Sequence, residues 1–83
     1  MKLRYFAWVR ERIGHAEENI DIPDHVTDVA QLIAWLSSRD EGYASAFAEP
    51  DVIRAAIDQE HVDHATPIGD AAEVAFFPPM TGG

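Results

Sequence analysis

The chain has 83 residues, 47% of them hydrophobic, no cysteine and a formal charge of −9. That describes one small domain with a single core, and it excludes a disulfide scaffold, a thiolate nucleophile and a sulfur-ligated metal. The acidity argues against nucleic acid and anionic membranes, which select Lys/Arg patches, and favours a partner with a basic surface or pocket.

In chain order the pattern predicts β-β-α-β-β. Lys2 to Trp8 alternates as a strand, with Leu3, Tyr5 and Ala7 on one face and Phe6 and Trp8 on the other. Val9 to Ile13 fits a helical turn stopped by Gly14. Asn19-Ile20-Asp21-Ile22 alternates and ends at Pro23, a second strand. Thr27 then reads as an N-cap. Val29, Leu32, Ile33 and Leu36 follow at the spacing of an amphipathic helix. Asp28 falls in its first turn and Arg39 in its last, both matched to the helix dipole, and Gly42 reads as the residue just past its end.

Tyr43 to Pro50 is Ala-rich and reads as a loose or short helical stretch. Ile53 to Asp58 alternates as a third strand, and Asp58-Gln59-Glu60 reads as a hairpin turn into a short strand around His61-Val62. Pro67 and Gly69 mark a surface loop over Thr66 to Ala72. Glu73 to Phe77 is the last strand, with Val74 and Phe76 on one face and Glu73, Ala75 and Phe77 on the other. No apolar run approaches membrane-spanning length. Arg4, Arg10 and Glu11 interrupt any signal-like start, so a cytoplasmic protein is expected.

One helix with four or five strands in this order suggests a mixed sheet with the helix on one face, the β-grasp arrangement. If the first and last strands are central neighbours, Leu3, Tyr5, Val74 and Phe76 point inward. Phe6, Trp8 and Phe77 then point outward, an apolar patch of the kind that marks an interface. Arg10 follows the first strand beside it, where a guanidinium can pair with a partner carboxylate. His61, Asp63 and His64 read as solvated surface rather than a metal set, since a closed site needs more ligands and a supporting shell. No metal and no bound cofactor are expected. His15 and His25 take no role, and Glu11, Glu17, Glu18, Asp21, Asp24 and Asp28 read as solvated acids.

The ending, Phe77-Pro78-Pro79-Met80-Thr81-Gly82-Gly83, says most about function. Two prolines fix φ, remove two donors and stop the strand. Gly82 and Gly83 have no side chain to pack. Residues 1–77 therefore read as the folded domain and 78–83 as a thin tail, about 20 Å long when extended. That is long enough to enter another protein's active site.

The segment Glu73-Val74-Ala75-Phe76-Phe77-Pro78-Pro79-Met80-Thr81-Gly82-Gly83 closely resembles the end of molybdopterin synthase small subunits, the molybdopterin converting factor subunit 1 family. Leu3-Arg4-Tyr5-Phe6-Ala7, Val9-Arg10-Glu11 and Gly14 resemble the family's start, so the likeness spans essentially the whole chain. Ala71-Ala72 departs from the Gly-Asp usual before its last strand. The resemblance implies an α+β, ubiquitin-like β-grasp fold and a sulfur carrier rather than an enzyme. The Gly83 carboxylate would be adenylated by an activating enzyme that uses ATP, converted to a thiocarboxylate by a sulfur-donor system, and inserted into the large subunit. There it would give sulfur to cyclic pyranopterin monophosphate. Gly82 keeps the carbonyl accessible, and Phe6, Trp8, Arg10, Phe77, Pro78, Pro79, Met80 and Thr81 would face the partner. The alternatives are a sulfur carrier for thiamine or tRNA thiolation, a lysine-conjugated modifier, or a β-grasp interaction domain.

Overall fold

The computed structural model describes residues 1–79. Met80, Thr81, Gly82 and Gly83 lie outside the described residues. Five strands form one sheet in the order β2-β1-β5-β3-β4. They are β1 (Lys2–Tyr5), β2 (Glu17–Asn19), β3 (Arg54–Ile57), β4 (Glu60–Val62) and β5 (Glu73–Phe77). The first and last strands are parallel neighbours at the centre, and the other pairings are antiparallel. Helices α1 (Ala7–Ile13), α2 (Val29–Ser37) and α3 (Glu41–Ala46) complete the fold, with a 3-10 turn at Pro50–Val52.

The central register sets Leu3 opposite Val74 and Tyr5 opposite Phe76. All four side chains are buried, as are Val29, Leu32, Ile33 and Leu36 of α2, so the apolar stripe of the helix was correctly legible. Val9 from α1 and Tyr43, Ala46 and Phe47 from the α3 segment close the core.

Several boundaries differ from the sequence reading, each for a local reason. β1 stops at Tyr5, because Ala7 takes φ +52° and turns the chain into α1. Trp8 therefore belongs to a helix, and strand parity does not place it. β2 covers Glu17–Asn19 instead of starting at Asn19, because these are the residues in register with Arg4, Leu3 and Lys2. Ile20 exchanges backbone bonds with Met1, and Asp21 and Ile22 lie beyond the ladder. Asp28, not Thr27, caps α2, its carboxylate accepting from the Gln31 N–H at 2.8 Å. Thr27 instead donates its N–H and hydroxyl to the Gln31 side chain.

Gly42 lies inside α3 rather than past the end of α2. An added Cβ there would sit 2.8 Å from the Arg12 carbonyl oxygen, so its lack of a side chain lets α3 approach the end of α1. The hairpin turn is as expected: Asp58 and Gln59 take φ +48° and +71°, the left-handed pair of a type I′ turn. The Asp58 carboxylate accepts from the Ala72 and Glu73 N–H groups at 3.0 and 2.9 Å. The left-handed residue of the loop before β5 is Gly69, so Ala71 and Ala72 need no positive φ.

Leu36 is fully buried, and Leu36→Ala should cost about 2–5 kcal/mol. That is roughly 10 °C or more in Tm for a domain of this size. Gly42→Ala should also lower Tm, although the same change in an open helix gains about 1 kcal/mol. Thermal unfolding followed by circular dichroism checks both. A stabilised Gly42→Ala would show that α1 and α3 are not in close contact.

Candidate functional site: the outer sheet face at the root of the tail

β5 leads from the middle of the sheet directly into Pro78 and Pro79. What surrounds its last residue is therefore the root of the tail. Phe6 and Phe77 meet there edge to face, ring centroids 6.5 Å apart. The Phe6 N–H donates to the Phe76 carbonyl at 3.1 Å, fixing Phe6 to the end of β5. Phe6 is 39% exposed, the one large hydrophobic residue exposed among those described. Phe77, Pro78 and Pro79 are half-buried. The left-handed backbone of Ala7 comes immediately after Phe6. Such a conformation costs a residue with a Cβ about 1–2 kcal/mol.

Three further groups frame the aromatic pair. The Arg4 guanidinium lies 5.2 Å from the Phe6 ring centroid, a cation–π contact. His61 of β4 places its ring 5.1 Å from that of Phe77. Arg54 of β3 stands opposite Phe77. Between them the face is floored by Ala75 and Ala56, paired across β5 and β3 and both nearly buried by their larger neighbours.

Phe6 and Phe77 thus come together as the sequence suggests, and Trp8 does not join them. Trp8 sits under the Arg12 guanidinium, 4.4 Å from its ring centroid. It lines a depression with Ala46, Ala48, Glu49 and Val52. Arg10 is exposed, one turn along α1 from Phe6. The sequence reading missed His61 as a neighbour of Phe77. The signal was present, since Ala56 pairs with His61 across the hairpin and so puts His61 on the outer face. The His61, Asp63 and His64 side chains have separate surroundings. His64 Nε2 lies 2.7 Å from the Ile53 carbonyl, and the Asp63 carboxylate accepts from Ala65 N–H and the Thr66 hydroxyl.

The perturbed titrating groups lie on the other side of the sheet. Glu18 accepts from the Tyr5 and Tyr43 hydroxyls at 2.7 and 2.5 Å, and His15 Nε2 lies 3.1 Å away. Burial alone would raise the Glu18 pKa, but these hydrogen bonds from Tyr43, Tyr5 and His15 outweigh it and hold the carboxyl below its ordinary value. Burial, then the bond to Glu18, pushes Tyr43 up to about 12, and the same causes push Tyr5 up. Glu18 is therefore an acceptor tying β1 and β2 to α3, not the solvated acid the sequence suggests.

Residues 3–83 match the model of the ThiS family. The chain belongs to the ThiS family. It is 32% identical over 83 residues to the molybdopterin synthase sulfur carrier subunit of Escherichia coli, covering 100% of this chain and 99% of that protein. The solved structure of a putative molybdopterin converting factor subunit 1 from Pyrococcus furiosus superposes with a TM-score of 0.73. The two are 27% identical, with 95% of each chain covered. SAMP1 from Haloferax volcanii shares the fold, with a TM-score of 0.71 at 23% identity over 100% of this chain and 98% of that one. These neighbours make the fold of this ThiS-family chain the ubiquitin-like β-grasp.

The Glu18 cluster predicts a pH profile. A carboxyl whose folded pKa is depressed contributes stability above its unfolded pKa and loses it as pH falls through the folded value. Glu18→Gln should therefore lower Tm at neutral pH and flatten its decline across the acidic limb. Melting temperatures from neutral pH into the acid range test this, and parallel profiles for both proteins would contradict it.

Proposed function

We propose that this chain is the sulfur-carrier subunit of a molybdopterin synthase and that its reacting group is the Gly83 carboxylate. The observation that carries the reading is the path of β5. It runs through the centre of the sheet, past the Phe6–Phe77 pair, and into Pro78 and Pro79, which Met80-Thr81-Gly82-Gly83 follow in the sequence. The full-length similarity to the Escherichia coli sulfur carrier subunit supports it.

A carboxylate is a poor electrophile. An activating enzyme would join it to the α-phosphate of ATP with release of pyrophosphate, and sulfur from a donor system would then displace AMP. The product is a terminal thiocarboxylate, which gives its sulfur to cyclic pyranopterin monophosphate in the large subunit. Two such transfers build the molybdopterin dithiolene. The chain supplies the carrier and the docking surface, while the catalytic pocket and the ATP site belong to its partners, in the cytoplasm. Glycine suits the last two positions because a Cβ there would crowd the carbonyl. The prolines lower the ordering cost of inserting the tail.

Deleting Gly82-Gly83 should abolish molybdopterin formation in a reconstituted assay and leave the melting curve unchanged. Retained synthesis by the truncated protein would refute the carrier role. Phe77→Ala should weaken binding to the large subunit by more than tenfold, since aromatic anchors are worth about 2 kcal/mol or more when truncated. Calorimetric titration with a folded variant measures this, and unchanged affinity would move the contact elsewhere.

A further inference from the structure

The register of the sheet sorts charge in a way the net charge of −9 conceals. Lys2 and Arg4 alternate with the buried Leu3 and Tyr5, so both point to the outer face. Arg54 pairs with Phe77 and shares that face. Three of the chain's six Lys and Arg residues thus share the outer face, Arg4 and Arg54 beside the aromatic pair and Lys2 at the opposite end of β1. The acids on the same face that pair in register with β1 are Glu17 and Glu73, opposite Arg4 and Lys2. Both are already engaged: Glu17 lies 3.2 Å from Lys2 Nζ, and Glu73 lies 3.9 Å from Arg4 Nη1. The rest of the chain holds three cations and thirteen carboxylates.

Arg54 is exposed, and among the described residues no carboxylate lies within ion-pair distance of it. Lys2, Arg4 and Arg39 have carboxylate partners, and Arg54 shares the lack of one with Arg10 and Arg12 of α1. Arg54 is the one of these that stands beside Phe77, at the root of the tail, where it lines a depression with Asp51 and Asp63.

We propose that the protein surface receiving this face is acidic at its rim: carboxylates around an apolar centre, with one of them placed to meet Arg54. This rests on the carrier reading and names the chemistry of its docking partner, the large subunit that takes the tail. The face and the tail are continuous through Phe77 and Pro78, so one partner covers both. Opposite charges at the two ends fix the direction of docking. Cations at the tail's root meet the partner's acids, and the anionic terminus enters a basic pocket. The partner is thus not basic throughout, as the chain's total charge suggests.

The test is calorimetric titration of the purified cognate large subunit with four folded forms: wild type, Arg54→Glu, Arg54→Gln, and a double variant Asp21→Asn/Asp24→Asn. The double variant removes two exposed acids that lie beyond the β2 ladder and outside the Arg54 end of the sheet. Arg54→Glu should weaken binding at least about tenfold, Arg54→Gln less, and high salt should shrink the difference. The Asp21→Asn/Asp24→Asn variant should bind like wild type. Equal or tighter binding by both Arg54 variants, or a greater loss on neutralising the two aspartates, would overturn the acidic-rim proposal alone. Absence of binding by the wild type would overturn the carrier reading with it.

Discussion

The parallel pairing of β1 with β5 is the constraint on which the rest of the structure depends. It sets Leu3 against Val74 and Tyr5 against Phe76, four buried side chains that form the floor on which α2 packs. It makes the last strand central, flanked by β1 and β3. A strand held on both edges is a firm anchor, so the residues that follow Phe77 start from a fixed position and direction. The same register turns Lys2, Arg4, Glu73, Ala75 and Phe77 outward. The core and the candidate interface are therefore two faces of one ladder. A one-residue slip would exchange them.

The helix side of the sheet carries its own polar demand. Two tyrosines pack into the core and need partners for their hydroxyls. Both donate to Glu18, which β2 delivers opposite Leu3. At the other end of the sheet, Asp58 serves backbone donors at the start of β5. The acids of this chain are thus not one population. Some are structural acceptors, two engage the cations of the outer face, and the remainder give the molecule its negative exterior.

Much of this was legible in the residues. The spacing of Val29, Leu32, Ile33 and Leu36 identified the core face of α2, because burial of a helix stripe follows directly from a 3.6-residue period. The boundaries of β5 and the Asp58-Gln59 turn were equally plain, one bounded by Pro78 and the other marked by turn chemistry. Three features were not. Ala7 adopts a left-handed backbone that nothing in its side chain signals, so the strand seemed to run on to Trp8. Gly42 looked like a helix stop because its reason, the approach of the Arg12 carbonyl, is tertiary. The charge of the outer face was hidden because composition counts residues without placing them. Phe6 and Phe77 were expected together and are, and His61 was left out although the Asp58-Gln59 turn sets it opposite Ala56 on the same face.

Intact-mass spectrometry is the decisive check on the proposed sulfur loading of the Gly83 carboxylate. The protein would be incubated with a cognate activating enzyme, ATP and a sulfur donor. The expected result is a mass increase equal to the exchange of one oxygen for one sulfur, confined to the fragment containing Gly83 and dependent on ATP. An unchanged mass under conditions that convert a known carrier, or a modification mapped to any other residue, would contradict it.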